Sequence, residues 1–283
     1  MGGYSVLMSV YRRGNPAHFA ASLESMLTQT VATDDFVVVC DGPLTPELDA
    51  VLEKYQQSDP DLFQIIRLET NVGIGEAANI GLRYCKNDLV AKMDADDIAV
   101  PTRCEVQLAR FSQCPELTVL GGYIAEFDAD PDSPISIRSV PLSDEKIRKF
   151  ARRRQPFNNM TVMYRREAVL KVGGYRSLRR SEDYDLFIRL LHGGYYCENM
   201  EQVLVLARVD EDAFARRASL GTLKGCARSR WDSYKLGYGS LLDVCICVCG
   251  ELVILVSPPS LRKFLYRRFL RKNPGSQKSH VDS

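Results

Sequence analysis

The sequence predicts an α/β protein in which helices cover both faces of a mostly parallel β-sheet. Short apolar runs rich in β-branched residues alternate with segments of helical periodicity through the first half of the chain, and the helical segments begin with capping or proline signals. Strands that alternate with helices of this length form parallel sheets. With 283 residues, of which 45% are hydrophobic, the chain is long enough to bury the core that such a sheet needs.

The first two helices are predicted from the residues at which they begin. Asn15 offers a capping side chain and Pro16 has the fixed φ of a first helical residue, and apolar residues follow at helical spacing as far as about Thr30. Thr45 and Pro46 give the same pair of signals before the second helix.

The remaining elements are predicted from apolar runs and their spacing. In the first half, four strands and a third helix are expected over residues 4–11, 36–40, 63–68, 88–93 and 75–85. The second half is less regular. Its candidates are two strands, over 161–164 and 195–209, and a helix over 181–194 with acidic residues in its first turn and glycines at its end.

Polar groups follow three of these strands at the point where each strand ends. Residues 9–13 follow the first strand, Asp41 follows the second, and the acidic turn Asp94-Ala95-Asp96-Asp97 follows the fourth. Because ligands of parallel sheets bind beyond the carboxyl ends of the strands, we expect these groups to line one crevice.

The acidic turn predicts a divalent-metal site. Its three carboxylates repel one another, and at the end of a buried strand they have little room to spread into water. Hard oxygen ligands select Mg²⁺ or Mn²⁺, and such an ion would neutralise a departing diphosphate. The alternative is a solvated loop whose aspartates cap a helix.

Five stretches of the chain carry a resemblance to a known family. They are YSVLMSVYRRGNPAHFAASLESMLTQT, FVVVCDGP, NVGIGEAANIGL, KMDADDIAVPTR and SEDYDLFIRLL. In order and spacing they resemble family 2 inverting glycosyltransferases, in particular the bacterial enzymes that build capsular polysaccharides, exopolysaccharides and O-antigens. The likeness runs from about Tyr4 to about Val209. It implies a GT-A fold, in which a nucleotide-binding α/β half is joined to an acceptor-facing half.

The resemblance implies a nucleotide-sugar donor site at the strand ends. The residues at matching positions, which would contact the base, the ribose and the diphosphate, are Ser9, Tyr11, Arg13, Asp41, Asn71, Gly73, Asn79, Asp94 and Asp96. Asp96 and the adjacent Asp97 match the positions that hold the Mn²⁺ or Mg²⁺ ion. UDP is the nucleotide that the resemblance favours.

The resemblance also implies a catalytic base. Asp183 matches the residue that accepts the proton of the acceptor hydroxyl, and Glu182 stands beside it. The expected reaction is a single displacement that moves the sugar to a glycan, or to a glycan linked to a polyprenyl diphosphate, and inverts the anomeric centre. The alternative is that the two acids only complement the N-terminus of a helix.

Two positions depart from the family pattern. Cys40 stands where a second aspartate usually precedes the residue that matches Asp41, and Asn159 stands where many members have histidine. Asn159 keeps a hydrogen-bonding group but cannot supply a charge.

Two other functions stay open. The first is a sugar-phosphate nucleotidyltransferase, although the first predicted strand lacks the glycine-rich phosphate loop that such enzymes use. The second is a non-catalytic nucleotide-sugar-binding subunit, which would need the acidic turn but not Asp183.

The predicted organisation has a catalytic domain and two C-terminal parts. The GT-A catalytic domain covers residues 1–210, and its nucleotide-sugar-binding half extends to about residue 115, with the acceptor half over 116–210. Residues 211–272 are expected to be helical, and residues 273–283 to be a disordered tail.

The C-terminal region predicts contact with a membrane surface. The apolar run over 241–256 is too short and too charged for a transmembrane helix, and residues 260–272 alternate basic and apolar side chains as interfacial helices do. Packing against the catalytic domain is the alternative. No signal peptide is evident, and the nine cysteines are scattered, so we expect a cytoplasmic protein at the inner face of the membrane. The net charge of +1 does not favour nucleic-acid binding.

Arginines collect in the second half of the chain. We expect some of them to contact the diphosphate of a lipid-linked acceptor, and the alternative is a solvated basic face. The residues concerned are Arg152, Arg153, Arg154, Arg165, Arg166, Arg176, Arg179 and Arg180.

Overall fold

A computed structural model gives the fold of residues 3–178, 181–209 and 219–257. Arg179 and Arg180, the predicted interfacial helix over 260–272 and the predicted tail over 273–283 lie outside these residues. The described residues form nine strands, nine α-helices and one short 3₁₀ turn.

The first half of the chain alternates strands and helices, as predicted. Its elements are β1 (Tyr4–Val10), α1 (Pro16–Leu27), β2 (Asp35–Cys40), α2 (Pro46–Ser58), β3 (Phe63–Arg67), α3 (Ile74–Tyr84), β4 (Leu89–Asp94), β5 (Ile98–Ala99) and α4 (Arg103–Gln113). Helices α1 and α2 begin at the predicted prolines, where the side chains of Asn15 and Thr45 accept backbone hydrogen bonds.

The second half contains more elements than the sequence pattern predicts. They are β6 (Leu117–Phe127), β7 (Ser136–Arg138), α5 (Asp144–Ala151), the 3₁₀ turn (Asn159–Thr161), β8 (Met163–Arg165), α6 (Arg166–Lys171), α7 (Glu182–His192), β9 (Tyr196–Arg208), α8 (Leu220–Lys235) and α9 (Leu241–Val256). Strand β6 is buried along its whole length, yet it was not predicted, because two glycines interrupt its apolar run. A Cβ atom on Gly121 would clash with the side chain of Asn199, so the glycine is needed there.

One sheet joins the two halves of the chain. Its strand order is β3-β2-β1-β4-β8-β6-β9-β5, and β7 pairs with β6. Strands β3, β2, β1 and β4 pair in parallel, as do β6 and β9, whereas β8 is antiparallel to both of its neighbours. The remaining pairs, β5 with β9 and β6 with β7, are antiparallel. The predicted α/β class is confirmed, and the sheet continues across the boundary predicted near residue 115.

Helices cover both faces of this sheet. Helices α1, α2 and α4 pack on one face through residues such as Phe19, Leu52 and Leu108. Helices α3, α5 and α7 pack on the other face through residues such as Ile147 and Leu190. Each face therefore has its own apolar layer, and the carboxyl ends of the parallel strands stay open at one edge.

The C-terminal part is helical, as predicted, and it is attached to the rest of the chain by charged and aromatic contacts. Helix α8 packs against α7 and against α9. Asp243 in the first turn of α9 is buried and forms ion pairs with Arg152 and Arg153. The guanidinium group of Arg230 in α8 lies 3.3 Å from the centre of the Tyr184 ring in α7.

Helix α9 presents an apolar face to solvent. Leu242, Ile246, Leu252, Val253 and Val256 are all exposed, and their spacing places them along one side of the helix. The helix has 16 residues. In residues 3–178, 181–209 and 219–257, no helix has both the length and the apolar character needed to cross a bilayer.

Candidate active site

The carboxyl ends of β1 and β4 bring Ser9 beside Asp94. The two residues are partners in the parallel register of the strands. The Ser9 hydroxyl is buried and has no hydrogen-bond partner within the described part of the chain. A buried hydroxyl without a partner at a strand end indicates a group that a ligand would complete. Tyr11 and Arg13 follow β1 and are exposed at the same edge.

Asp41, at the end of β2, holds the loop that precedes α3. Its carboxylate accepts hydrogen bonds from Asn71 Nδ2 at 2.8 Å, from Val72 N at 2.7 Å and from Gly73 N at 3.1 Å. Gly42 has a φ of 85°, and a Cβ atom there would lie 2.8 Å from Asn71 N. The predicted nucleoside-binding residues on these two segments therefore lie together, and Asp41 fixes the shape of the loop with both oxygens.

Asn79 fastens α3 to the segment that leads into α7. Its Oδ1 accepts from Tyr175 N and its Nδ2 donates to Tyr175 O, both at 2.7 Å. The second hydrogen of Nδ2 has Glu76 Oε2 as its acceptor, at 3.2 Å. Both amide donors are used within the protein, so Asn79 supports the wall of the site and leaves little capacity for a ligand.

Protein groups engage both ends of the acidic turn. Lys92 Nζ lies 2.9 Å from Asp94 Oδ1, and the lysine side chain is only 2% exposed. At the other end, Asp97 is buried and its Oδ1 accepts from the backbone N–H of Arg208 at 2.8 Å. Asp96 lies between these two fixed carboxylates.

The aspartates of the turn repel one another, as the sequence predicts. Burial raises the pKa of Asp96, and the charge of Asp94 raises it further. Burial also raises the pKa of Asp97 well above its usual range, with smaller contributions from Asp96 and Asp94. A cation at the turn would relieve this repulsion.

The acidic turn fits a hard divalent cation in its donor chemistry, because its carboxylate oxygens are the ligands that Mg²⁺ prefers. In the part of the chain that the structure describes, no three His, Cys, Asp or Glu side chains are arranged to hold a metal ion. That arrangement is not required, since Mg²⁺ at phosphate-binding sites is often held by one or two carboxylates plus water and substrate phosphates.

Arg103 is a buried cation behind the acidic turn, and the sequence pattern did not single it out. It is fully buried, with Nη2 2.8 Å from the carbonyl oxygen of Lys92 and Nε 3.2 Å from Gln107 Oε1. Burial lowers the pKa of Arg103, and the charges of Asp94 and Asp97 oppose that change. An arginine in the first turn of a helix usually points to solvent, so nothing in the sequence marked this one as a support of β4.

Glu182 and Asp183 stand in the first turn of α7. Asp183 Oδ1 accepts from the backbone N–H of Tyr184 at 2.8 Å. The loss of water around this half-buried carboxylate raises the pKa of Asp183, while Gln155 and Arg138 nearby offset part of the rise. A raised pKa suits a carboxylate that must accept a proton.

A cavity of about 220 Å³ joins the acidic turn to Asp183. Lys92 and Asp94 lie on one wall, and Glu182 and Asp183 lie on another. A second cavity of about 460 Å³ adjoins it, lined by the loop before α3 and again by Glu182. The fold therefore brings the predicted diphosphate-binding end and the predicted base to one continuous space.

The arginines of the second half mostly have partners within the protein. The ion pairs are Arg152 and Arg153 with Asp243, Arg165 with Asp88, and Arg176 with Asp185. Arg166 donates to the carbonyl oxygen of Cys85. These side chains hold separate elements together, although Arg152, Arg153 and Arg176 stay about half exposed. Contact of these arginines with the diphosphate of an acceptor stays a prediction.

Comparisons with known proteins identify the family. Residues 5–181 match the family described as glycosyl transferase family 2. A Haemophilus influenzae protein named as an uncharacterized glycosyltransferase is 40% identical over 269 residues, which cover 95% of this chain and 99% of that protein. The Escherichia coli UDP-Gal:alpha-D-GlcNAc-diphosphoundecaprenol beta-1,3-galactosyltransferase is 30% identical over 269 residues, covering 95% of this chain and 97% of that enzyme.

A solved structure gives the same answer for the fold. The mannosyltransferase PcManGT from Pyrobaculum calidifontis, in complex with GDP-Man and Mn²⁺, matches this chain with a TM-score of 0.62 at 14% identity, covering 92% of this chain and 83% of that one. The GT-A fold that the sequence resemblance implied is confirmed. The chain belongs to glycosyl transferase family 2 and is a glycosyltransferase.

Proposed function

We propose that this enzyme transfers a sugar from a UDP-sugar to a glycan carried on a lipid diphosphate, in the biosynthesis of a surface polysaccharide. The observation that carries the proposal is the cavity that has Asp94 on one wall and Asp183 on another. The choice of substrates is supported by the Escherichia coli relative, whose name gives UDP-Gal as donor and GlcNAc-diphosphoundecaprenol as acceptor.

The donor nucleotide binds across the carboxyl ends of β1, β2 and β4. Ser9, Tyr11 and Arg13 contact the base from the end of β1, and the unpaired buried hydroxyl of Ser9 supports this placement. Asp41 acts mainly through the loop over 71–73, which it orients, and Asn79 fixes the adjoining wall.

The acidic turn receives the ribose and the diphosphate. Asp94 and Asp96 face this part of the donor, and Asp96 and Asp97 would hold a Mn²⁺ or Mg²⁺ ion. When bound, the ion neutralises charge on the diphosphate as it departs. Arg103 behind the turn and Lys92 beside Asp94 offset the negative charge of these closely spaced, buried carboxylates.

Asp183 acts as the general base. It takes the proton of the acceptor hydroxyl while that oxygen attacks the anomeric carbon from the side opposite the diphosphate, and this direction of attack inverts the anomeric centre. General base catalysis contributes roughly 10²–10⁴-fold to such reactions. Glu182 adds a second negative charge at the same helix terminus and lines both cavities.

The acceptor's lipid suggests where the enzyme works. The apolar face of α9 matches the interior of a lipid monolayer, and the adjacent α8 exposes Lys224, Arg228, Trp231 and Lys235, side chains that suit an anionic headgroup region. We therefore place the enzyme at the inner face of the cell membrane as a peripheral protein, held by α9 and its neighbour.

A transfer assay tests the proposed function. The enzyme is incubated with Mn²⁺, with UDP-glucose, UDP-galactose or UDP-GlcNAc, and with a synthetic GlcNAc-diphospholipid, and the lipid is analysed by mass spectrometry. One donor is expected to add a single sugar residue. Release of pyrophosphate from UTP and a sugar phosphate would instead identify a nucleotidyltransferase, and donor binding without transfer to any acceptor would identify a binding subunit.

A further inference from the structure

Besides Arg138, three polar side chains line the 220 Å³ cavity and have no contact with substrate in the mechanism described above. They are Lys92 on β4, Gln155 in the segment after α5, and Asn159 at the start of the 3₁₀ turn. They reach the cavity from different elements, so their convergence depends on the tertiary fold.

Lys92 is an unusual residue for the centre of a sheet. Its side chain is almost completely buried, which costs free energy unless the ammonium group is compensated. The ammonium group has three N–H donors, and within the described residues it has two acceptors, Asp94 Oδ1 at 2.9 Å and Met93 O at 3.4 Å. The second contact is long, so the group retains capacity for a ligand in the cavity.

Gln155 and Asn159 have amide atoms that the fold does not satisfy. Gln155 Oε1 and Asn159 Oδ1 are buried without a hydrogen-bond partner in the described part of the chain, whereas Gln155 Nε2 lies near the Asp183 carboxylate and lowers its pKa. Leaving buried polar atoms without partners is costly, and native proteins rarely do so without a functional reason. Both side chains line the same cavity as Lys92.

The position of the cavity indicates what it holds. In a displacement at an anomeric carbon, the transferred sugar lies between the departing diphosphate and the attacking hydroxyl. The cavity lies between Asp94, at the diphosphate end, and Asp183, the proposed base. Its volume of about 220 Å³ is below the ~300–1,000 Å³ of sites that enclose a drug-sized ligand, so it suits one ring better than a whole nucleotide.

The lining of the cavity also matches a pyranose ring. Phe157, Met160 and Tyr175 supply apolar surface, against which the C–H face of a sugar can pack. Lys92, Gln155 and Asn159 supply donors and acceptors for its hydroxyl groups. A diphosphate would not need the apolar walls, and the cavity is small for a nucleoside.

We propose that Lys92, Gln155 and Asn159 bind the hydroxyl groups of the donor's sugar and determine which UDP-sugar the enzyme uses. The inference rests on the proposed function, because it assigns the sugar of the same donor. Lys92 contacts the sugar from β4, beside the acidic turn. Gln155 contacts it from the segment after α5, and Asn159 from the start of the 3₁₀ turn. Asp94 orients the Lys92 ammonium group through their ion pair.

Calorimetric titration with UDP and with UDP-glucose, UDP-galactose and UDP-GlcNAc tests this assignment. The wild-type enzyme should bind one UDP-sugar more tightly than UDP. In Lys92→Met and in Gln155→Leu, affinity for that UDP-sugar should fall by about 10- to 100-fold, the loss expected when a ligand group loses a buried hydrogen bond. In Gln155→Leu, affinity for UDP should stay within about threefold of the wild-type value. In Lys92→Met, affinity for UDP should fall less than affinity for the UDP-sugar, because Lys92 also offsets the charge of Asp94.

Two surface variants control for the chemistry of the substitutions. Lys146→Met and Gln113→Leu make the same changes at exposed positions, and both should bind all the nucleotides as the wild type does. If Lys92→Met does not fold, Gln155→Leu still tests the inference, because Gln155 is only half-buried. The melting temperature of each variant shows whether it is folded.

The outcomes separate this inference from the proposed function. If both variants keep the wild-type preference for the UDP-sugar, or if UDP affinity falls equally, the side chains do not read the sugar and the inference is wrong. The proposed function then stands or falls by the transfer assay. A wild-type enzyme that transfers no sugar would reject the function itself, and one that binds UDP and UDP-sugars equally would reject the inference.

Discussion

Several charged residues of the site are buried, so we expect a substitution at one of them to change the stability of the folded protein strongly. Lys92 is 2% exposed and Arg103 is fully buried. Each is compensated by atoms of β4, Lys92 by Asp94 and Arg103 by the Lys92 carbonyl. Removing one partner from such a contact leaves the other unsatisfied in a medium of low dielectric constant, which costs more than breaking an exposed ion pair.

The Asp183→Asn enzyme is expected to unfold at a higher temperature than the wild type at pH 7. Burial raises the pKa of Asp183, so the ionised carboxylate destabilises the folded state above the pKa of the unfolded chain, about 3.9. Asparagine keeps an acceptor for the Tyr184 N–H and carries no charge. The gain should shrink as the pH falls through the folded-state pKa toward about 3.9, and it should vanish only below about pH 3, where the carboxyl group is protonated in both states.

Thermal unfolding at pH 7, 5.5 and 4 measures this effect. Asp61→Asn, at an exposed position, serves as the control and should change the melting temperature little at any of these pH values. The raised pKa of Asp183 would be contradicted if Asp183→Asn did not raise the melting temperature at pH 7, or if it raised the melting temperature equally at all three pH values.

The residues that the sequence identified and those that it missed differ in a physical way. Asp94, Asp96 and Asp183 belong to short motifs in which carboxylates stand at a strand end or a helix start, so their spacing reveals them. Lys92 and Gln155 have no such spacing. Their proposed roles depend on burial and on contacts between distant segments, which the local sequence does not encode.

At the level of elements, α3 lies so close to the sheet that a side chain on Gly81 would have to displace its neighbours. A Cβ atom on Gly81 would lie 2.8 Å from Val39 Cγ2 and closer still to Leu7. Helix α3 begins at the loop that Asp41 holds, so its position affects the donor site. Gly250 in α9 is the opposite case, because a Cβ atom there would meet nothing within 4 Å.

These two glycines form a matched pair for a stability test. Gly81→Ala is expected to lower the free energy of unfolding by about 1–3 kcal/mol, because the added methyl group overpacks the contact of α3 with the sheet. Gly250→Ala makes the same change in an open position and should raise the stability of α9 by up to about 1 kcal/mol. Urea denaturation measures both, and a Gly81→Ala enzyme as stable as the wild type would contradict the close packing of α3.

The elements found from the sequence are those with local signals. Prolines and capping side chains marked the starts of α1 and α2, and apolar runs marked β1 to β4. Strand β6 carries internal glycines, and α4 follows Thr102, whose side chain makes no capping hydrogen bond. The insertion of β8 between β4 and β6 depends on pairing between distant segments, which no local pattern specifies.

On the scale of the whole molecule, the C-terminal helices are connected to α7, the helix that begins at Glu182 and Asp183. Burial would raise the pKa of Asp243, but hydrogen bonds from Ser240, Arg153 and Arg152 outweigh it and hold the pKa well below its usual range. Asp243 therefore stays ionised at neutral pH and anchors α9. Helix α8 reaches α7 through Arg230 and Tyr184, next to Asp183.

The proposed membrane surface predicts binding to anionic vesicles. The enzyme should sediment with vesicles that contain anionic lipid at low salt, and the double variant Ile246→Glu with Val253→Glu should bind about tenfold or more weakly, because two apolar side chains no longer enter the lipid.

Ile135→Glu supplies the control for the vesicle experiment, since Ile135 is an exposed apolar residue outside the C-terminal helices. This variant should bind vesicles as the wild type does. If the double variant binds vesicles as well as the wild type, or if the wild type does not bind them, the proposal that α9 binds the membrane is wrong.

Asp183 is proposed to act as the base across the cavity from the acidic turn, and the most direct test is the transfer rate of Asp183→Asn measured beside its donor affinity. The rate of sugar transfer to the GlcNAc-diphospholipid should fall by roughly 10²–10⁴-fold, while the dissociation constant of the UDP-sugar stays within about threefold of the wild-type value. Asp61→Asn should transfer at the wild-type rate. Transfer by Asp183→Asn at an undiminished rate would contradict the account.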